Sequence, residues 1–350
     1  MPNSACPPCL NCNDFDSALI KARNPTRCPI KLCSTRLITV PYRTRKLPFC
    51  AAHGIRLHSK TFAYYNVNHN LGDAQLRNFI VRRDLATEVA VGSKQKAESH
   101  RLGYEMSEDA LSWNVFVSLA DAGKLRSTTA LLIGRDIGEE PDLYLWGIRV
   151  DVRGGASGSP YRPLDLTRAN LERDIARFKT EPDIMLVLNG RIVICIEAKF
   201  GSGNPLAGLG RSKSGEKPTD RDGLLGRYFY RASERTQSAI DRNGIGEIFH
   251  SQLFRNVVFA SEMANGSDWY VVNLMSDTQR KLGKTTDKYS FDDPRPHVRS
   301  YLRGDFGERF HFRTWEELYR GLVRNTDGLG RLDAYIRTKS AHYERAFDVD

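Results

Sequence analysis

Two apolar runs joined by Asn189-Gly190 constrain this chain more than any other feature. Residues 181–200 read EPDIMLVLNGRIVICIEAKF. The runs 183–188 and 191–198 are rich in β-branched residues, and Asn-Gly between such runs is a strong short-range signal for a β-hairpin. The second run ends in Glu197-Ala198-Lys199. Strand alternation puts Glu197 and Lys199 on one face and Ala198 on the other. An apolar strand that ends in two charges on one face suits a site at a sheet edge. The plainer alternative is a structural hairpin whose end charges are solvated. Lys199 is the one Lys of the chain with an acid two residues before it.

The turn decides whether Asp183 can join them. A two-residue turn pairs Leu188 with Arg191, and so Asp183 with Ile196, which sends Asp183 to the face opposite Glu197. A three-residue loop with a bulge pairs Leu188 with Ile192 and brings Asp183 across from Glu197. The second register is the one expected here, because a shared metal requires both carboxylates on one face. Coordinates with the two on opposite faces would remove Asp183 from the site.

These residue types suit phosphodiester hydrolysis, which needs an activated water and a neutraliser for charge developing on phosphorus. Two carboxylates, Asp183 and Glu197, can hold Mg²⁺, with the Ala198 carbonyl as a third candidate ligand. The Lys199 ammonium can orient or deprotonate the water and offset negative charge. Pro182-Asp183 followed by Glu197-Ala198-Lys199 resembles the signature of the PD-(D/E)XK, or restriction-endonuclease-like, nucleases, and the likeness spans roughly residues 105–275. The resemblance implies an α/β fold with a mixed central sheet flanked by helices, Mg²⁺ dependence and cleavage of DNA. Such nucleases often carry an acid on the helix before the sheet, and Glu108 is the matching position. Its alternative role is a partner for the helix dipole. Some members use a Gln on the helix after the third strand, for which Gln252 and Gln237 are candidates. Pro141-Asp142 also opens a strand, but no Glu-x-Lys follows it closely. Cys195 shares a face with Glu197 and reads as a small buried hydrophobe.

Around this hairpin the periodicity predicts a short helix at 74–84 and a clear one at 107–122, N-capped by Ser107 with Glu108 and Asp109 in its first turn. Strands are expected at 129–133, 142–150 and 268–275. Helices are expected at 166–178, 224–242, 250–263, 314–323 and 330–345. The implied division is a Cys-rich zinc-binding module at 1–60, a connecting, partly helical segment at 61–104, the nuclease core at 105–290 and a C-terminal helical extension at 291–350.

Six of the seven Cys lie in the first 50 residues. Clustering of this kind in a cytoplasmic chain argues for metal ligands over disulfides. Cys9-x2-Cys12 and Cys50-x2-His53 have zinc-ligand spacing and resemble the paired knuckles of treble-clef modules. Cys6-x2-Cys9 is an equally legal first pair, and Cys28 and Cys33 could complete a second site or replace a ligand. His58 is also available.

The chain carries 52 Lys and Arg against 42 Asp and Glu, a net charge of +10. Residues 1–100 hold 15 of the basic and 6 of the acidic residues, so the excess is concentrated there. A basic region suits a polyanion such as DNA, or is a solvated face. Arg43, Arg45, Lys46 and Arg56 would suit a phosphate backbone, as would Arg211, Lys213, Lys217 and Arg221 in a Gly-rich loop that otherwise reads as a solvated linker. No run of 18 apolar residues suggests a membrane span, and the N-terminus does not read as a signal peptide, so a cytoplasmic location is expected. The leading functional expectation is a Mg²⁺-dependent DNA endonuclease for restriction or phage defence. Double-strand cutting would call for two centres and hence a homodimer. The alternatives are a nucleic-acid-binding protein without turnover on the same fold, and a structure-specific nuclease such as a junction resolvase.

Overall fold

The computed structural model describes residues 15–42, 44–65, 76–92, 100–154, 157–176, 179–207, 220–343 and 346–349. Cys6, Cys9, Cys12, Arg43, Arg211, Lys213 and Lys217 lie outside them. Helix α1 (Ser17–Lys21) is capped by the Asp16 carboxylate, which accepts from the Ala18 and Leu19 amides. Four antiparallel strands follow in chain order: β1 (Ile38–Tyr42), β2 (Arg45–Cys50), β3 (Ile55–His58) and β4 (Thr61–Tyr64). On this sheet Arg45 and Lys46 are exposed. Arg56 is not, contrary to expectation. Its guanidinium is buried 4.3 Å from the ring centres of both Tyr42 and Tyr65 and donates to His58. Desolvated and stacked in this way, it serves the fold and leaves phosphate contact to its exposed neighbours.

The central sheet has six strands: β5 (Asp142–Leu145), β6 (Ile148–Val150), β7 (Ile184–Leu188), β8 (Ile192–Lys199), β11 (Asp268–Met275) and β13 (Phe310–Thr314). Their order is β13-β11-β8-β7-β5-β6. The first three run parallel, and the hairpin side is antiparallel, so the sheet is mixed. The short strands β9 (Asn204–Ala207), β10 (Phe249–His250) and β12 (Tyr289–Ser290) form a small sheet just past the end of β8. The principal helices are α2 (Glu108–Asp121), α3 (Leu125–Ile133), α4 (Arg162–Leu171), α5 (Ser251–Ala264) and α6 (Gly330–His342).

Strand parity sorts the core. Ile184, Leu186, Ile194, Ile196, Val272 and Leu274 pack on one face with Leu111 and Phe116 of α2, Leu132 of α3 and Ile336 of α6. Met185, Val187, Val193, Cys195 and Val271 pack on the other with Leu253 and Val257 of α5 and Leu164 of α4. Both faces are covered, which is why β7 and β8 are apolar throughout rather than alternating. The first cluster continues into Phe15, Cys28, Cys50 and Ile55, so the N-terminal sheet shares it. Truncating a fully buried Leu such as Leu111 to Ala would cost about 2–5 kcal/mol here.

Several boundaries differ from the sequence reading. Residues 129–133 are the last turns of helix α3, not a strand. The Glu140 carboxylate accepts the Leu125 and Arg126 amides at its start, Thr128 and Thr129 bond back to the carbonyls of Lys124 and Leu125, and Gly134 ends it at φ +71°. Long-range capping overrides the β-preference of the Thr-rich run. The 142–150 run is a hairpin of two strands, turned at Trp146 and Gly147, both with positive φ. A Cβ at Gly147 would stand 2.5 Å from the Leu164 side chain. Helix α4 begins at Arg162, with Pro163 in its first turn, and stops at Leu171. Glu172 then turns inward to accept from Thr180 and Tyr228. The 224–242 helix is broken into Arg221–Leu224, a π turn and a re-capped Glu234–Ala239. Of the helix expected at 74–84, residues 74 and 75 lie outside the described residues, Leu76 is helical, a turn follows at 77–78, and a separate helix runs Arg83–Gly92.

Candidate active site

The hairpin adopts the register with the three-residue loop. Leu188 pairs with Ile192 and Ile184 with Ile196, which sets Asp183 level with Glu197 just past the last rung. Gly190 sits at φ +69° and the Arg191 amide closes the turn on the Leu188 carbonyl at 2.9 Å. By parity Asp183, Glu197 and Lys199 lie on the α5 face of the sheet. Because β7 begins only at Ile184, the Asp183 carboxylate accepts the Ala198 amide at 2.9 Å.

Glu197 and Lys199 are buried, 3% and 5% exposed. Lys199 Nζ lies 2.6 Å from Glu197 Oε1 and 3.0 Å from the side-chain Oε1 of Gln252 in the first turn of α5. One turn further on, Asn256 donates to Glu197 Oε2 at 2.9 Å. Glu108, first residue of α2, accepts the Phe200 amide at 2.8 Å and the Ser202 hydroxyl at 2.5 Å. It therefore pins the chain where β8 ends. From outside the carboxylates, Trp315 Nε1 donates to the Lys199 carbonyl and Asn273 Nδ2 to that of Glu197. The partly exposed rim consists of Asp183, Glu108, Ser202 and Gln252.

Burial by itself would pull the Lys199 ammonium down, but Glu197, Glu108 and Asp183 outweigh it and hold it above the ordinary Lys value. Three carboxylates bear on one ammonium, so the group as a whole has excess negative charge. A second buried pair lies just before α2, three residues from Glu108. Lys339 of α6 bonds both the carboxylate and the carbonyl of Glu105. Burial pulls the Lys339 ammonium below its ordinary value, and Glu105 opposes that pull.

The structure thus brings Asp183, Glu197, Lys199, Glu108 and Gln252 together. Gln237 is elsewhere, donating to the Ala232 carbonyl. Asn256, Ser202, Trp315 and Asn273 were not singled out from the sequence. Asn256 had a readable signal, since it stands four residues after Gln252 on one helix face. Cys195 is fully buried among the apolar residues of the α5 face, where burial pushes its thiol up and away from reactivity.

Away from this site, Cys28, Cys33, Cys50 and His53 present ligand atoms within 4.8 Å of one another and can hold a metal ion. Cys50 and His53 were expected there. Cys28 and Cys33 are the residues found beside them, and Cys6, Cys9 and Cys12 lie outside the described residues. His58 is not in the cluster. It is buried against Arg56, and burial, with the Arg56 and Arg45 charges, pulls its imidazole down to about 4.

A mixed six-stranded sheet with helices on both faces, and carboxylates and a lysine meeting at the end of its central hairpin, defines a restriction-endonuclease-like α/β protein. A family model described as "Restriction Endonuclease associating with ARP" matches residues 49–339, and the chain belongs to that family. No curated protein and no solved structure matches the chain.

Proposed function

We propose that this protein is a Mg²⁺-dependent endonuclease that hydrolyses DNA phosphodiester bonds in restriction or phage defence. The observation that supports this most is the hairpin register, which sets Asp183 and Glu197 level on adjacent strands beside Lys199. The donor set is all oxygen and carries excess negative charge, which fits a hard divalent cation. Asp183 and Glu197 would hold Mg²⁺, which when bound supplies Lewis acidity toward water and the phosphate oxygens.

The remaining work falls to the chain. Asn256 fixes the Glu197 carboxylate by one oxygen. Gln252 holds the Lys199 ammonium at the rim end of the site. Lys199 stays protonated well above neutral pH, so its role is to donate hydrogen bonds that orient the attacking water and offset charge at phosphorus. Glu108 clamps Phe200 and Ser202, so that the end of β8 keeps its place when substrate docks. A Zn²⁺ in the Cys/His cluster would serve structure. In this reading the enzyme works in the cytoplasm, and a homodimer supplies the two centres that double-strand cutting needs. Among the described residues no helix is long and apolar enough to cross a membrane.

The test is incubation of methylated and unmethylated plasmid with protein and Mg²⁺, beside Lys199→Ala. Cleavage by the intact protein and none by the variant is the expected result. If both bind every DNA offered and neither cuts, the protein is a binding module on a nuclease fold.

A further inference from the structure

We propose that Cys28, Cys33, Cys50 and His53 form a closed structural Zn²⁺ site, one ion per chain, that staples the 28–33 loop to the turn between β2 and β3. This deepens the metal reading given above, from which it takes the identity of the ion; the ligand set comes from the geometry.

The four donor atoms are spaced for a single tetrahedral ion. Cys33 Sγ lies 3.8 Å from Cys50 Sγ, and His53 Nδ1 lies 3.5 Å from the sulfurs of both Cys28 and Cys50. A tetrahedron with Zn–S of about 2.3 Å and Zn–N of about 2.0 Å has edges of about 3.8 Å between sulfurs and about 3.5 Å from sulfur to nitrogen. The sulfurs are thiols, well beyond the covalent S–S length of about 2.0 Å. An iron–sulfur cluster would divide the ligands between two or more irons and spread the pairs apart, whereas here all four atoms stay within 4.8 Å.

The surroundings hold the donors in place. Backbone hydrogen bonds from Ile30, Thr35 and His53 reach the sulfurs of Cys28, Cys33 and Cys50 respectively. Arg77 donates to the His53 carbonyl while its guanidinium lies 4.5 Å over the Tyr64 ring. Gly54, at φ +57°, turns the chain from His53 into β3. Cys28 and Cys50 are buried. Four protein ligands leave no coordination position for a substrate, so the ion is structural. They also complete the tetrahedron, so Cys6, Cys9 and Cys12 are not needed for this ion.

Metal analysis and zinc-edge X-ray absorption on the full chain test this. The variant Cys6→Ser/Cys9→Ser/Cys12→Ser should keep one zinc per chain with a shell of three sulfurs and one nitrogen. Cys28→His, which preserves a ligand and hence folding, should keep the zinc with one sulfur fewer. Loss of zinc from the triple variant would overturn the proposal. So would an unchanged sulfur count in Cys28→His, or a metal-free protein with Cys33 and Cys50 oxidised. Zinc content is read independently of cleavage, so an inactive protein that passes these tests would defeat the nuclease reading and leave this one standing.

Discussion

Lys199 and Lys339 are both buried ammoniums bonded to a glutamate, and both pairs flank the start of α2, yet their surroundings differ. Lys339 meets Glu105 one to one, beneath α6 and the buried side chain of Tyr343. Charge there is balanced, and the pair ties the C-terminal helix to the loop before Ser107. Lys199 faces three carboxylates, two of them at a partly exposed rim. The same two residue types therefore stand in matched charge at one place and amid excess carboxylate at the other. The contrast lies in the carboxylate count, which residue identity alone does not reveal.

Four measurements would break or sharpen this contrast. Lys199→Ala should lower plasmid cleavage per folded molecule by about 10³-fold or more, about 4 kcal/mol of transition-state stabilisation. A variant that still cuts at near-normal rate would make Lys199 a strut too. Lys339→Ala should instead lower unfolding stability by about 3–5 kcal/mol in urea titrations, because it leaves Glu105 buried without its cation. Cleavage per folded molecule should hold. Asn256→Ala should weaken Mg²⁺ about 10-fold, seen both as a raised half-saturating concentration in cleavage and in calorimetric titration with Ca²⁺. Unchanged metal affinity would detach Asn256 from the site.

The smallest effect is a pH dependence of opposite sign for the two lysines. The folded pKa of Lys339 is depressed, so its contribution is fully present above the ordinary value of 10.5 and is lost as pH falls through the folded pKa. Wild type should therefore gain stability relative to Lys339→Met as pH rises toward 10.5. The folded pKa of Lys199 is raised, so its contribution is fully present below 10.5 and is lost only above that. Comparison with Lys199→Met should show no trend over the same range. Urea titrations at several pH values would read both.

The sequence was most legible where a short-range rule governs. Strand parity gave Glu197 and Lys199 a common face, and the expectation of a shared metal picked the loop that aligns Asp183. Ser107 announced helix α2. Legibility failed where distant residues decide. Residues 129–133 are helical because Glu140 caps the helix from across a loop, and local propensity carries no trace of that. Cys28 and Cys33 lack the two-residue spacing of a knuckle, and chain reversal over 28–33 is what brings them to Cys50 and His53. Arg56 looked like a surface cation because its two tyrosines are 14 and 9 residues away in sequence.

The three residues Asn189, Gly190 and Arg191 touch no substrate in the proposed mechanism, yet their number works like a reading frame. Removing one would slip the hairpin by a single position and turn Asp183 from Glu197 toward the opposite layer of helices. Every residue of the proposed site would remain in the gene. Under the proposed function, a shortened loop is thus a route from nuclease to pure DNA binder, and a place where a designer could install an off switch without touching the candidate site.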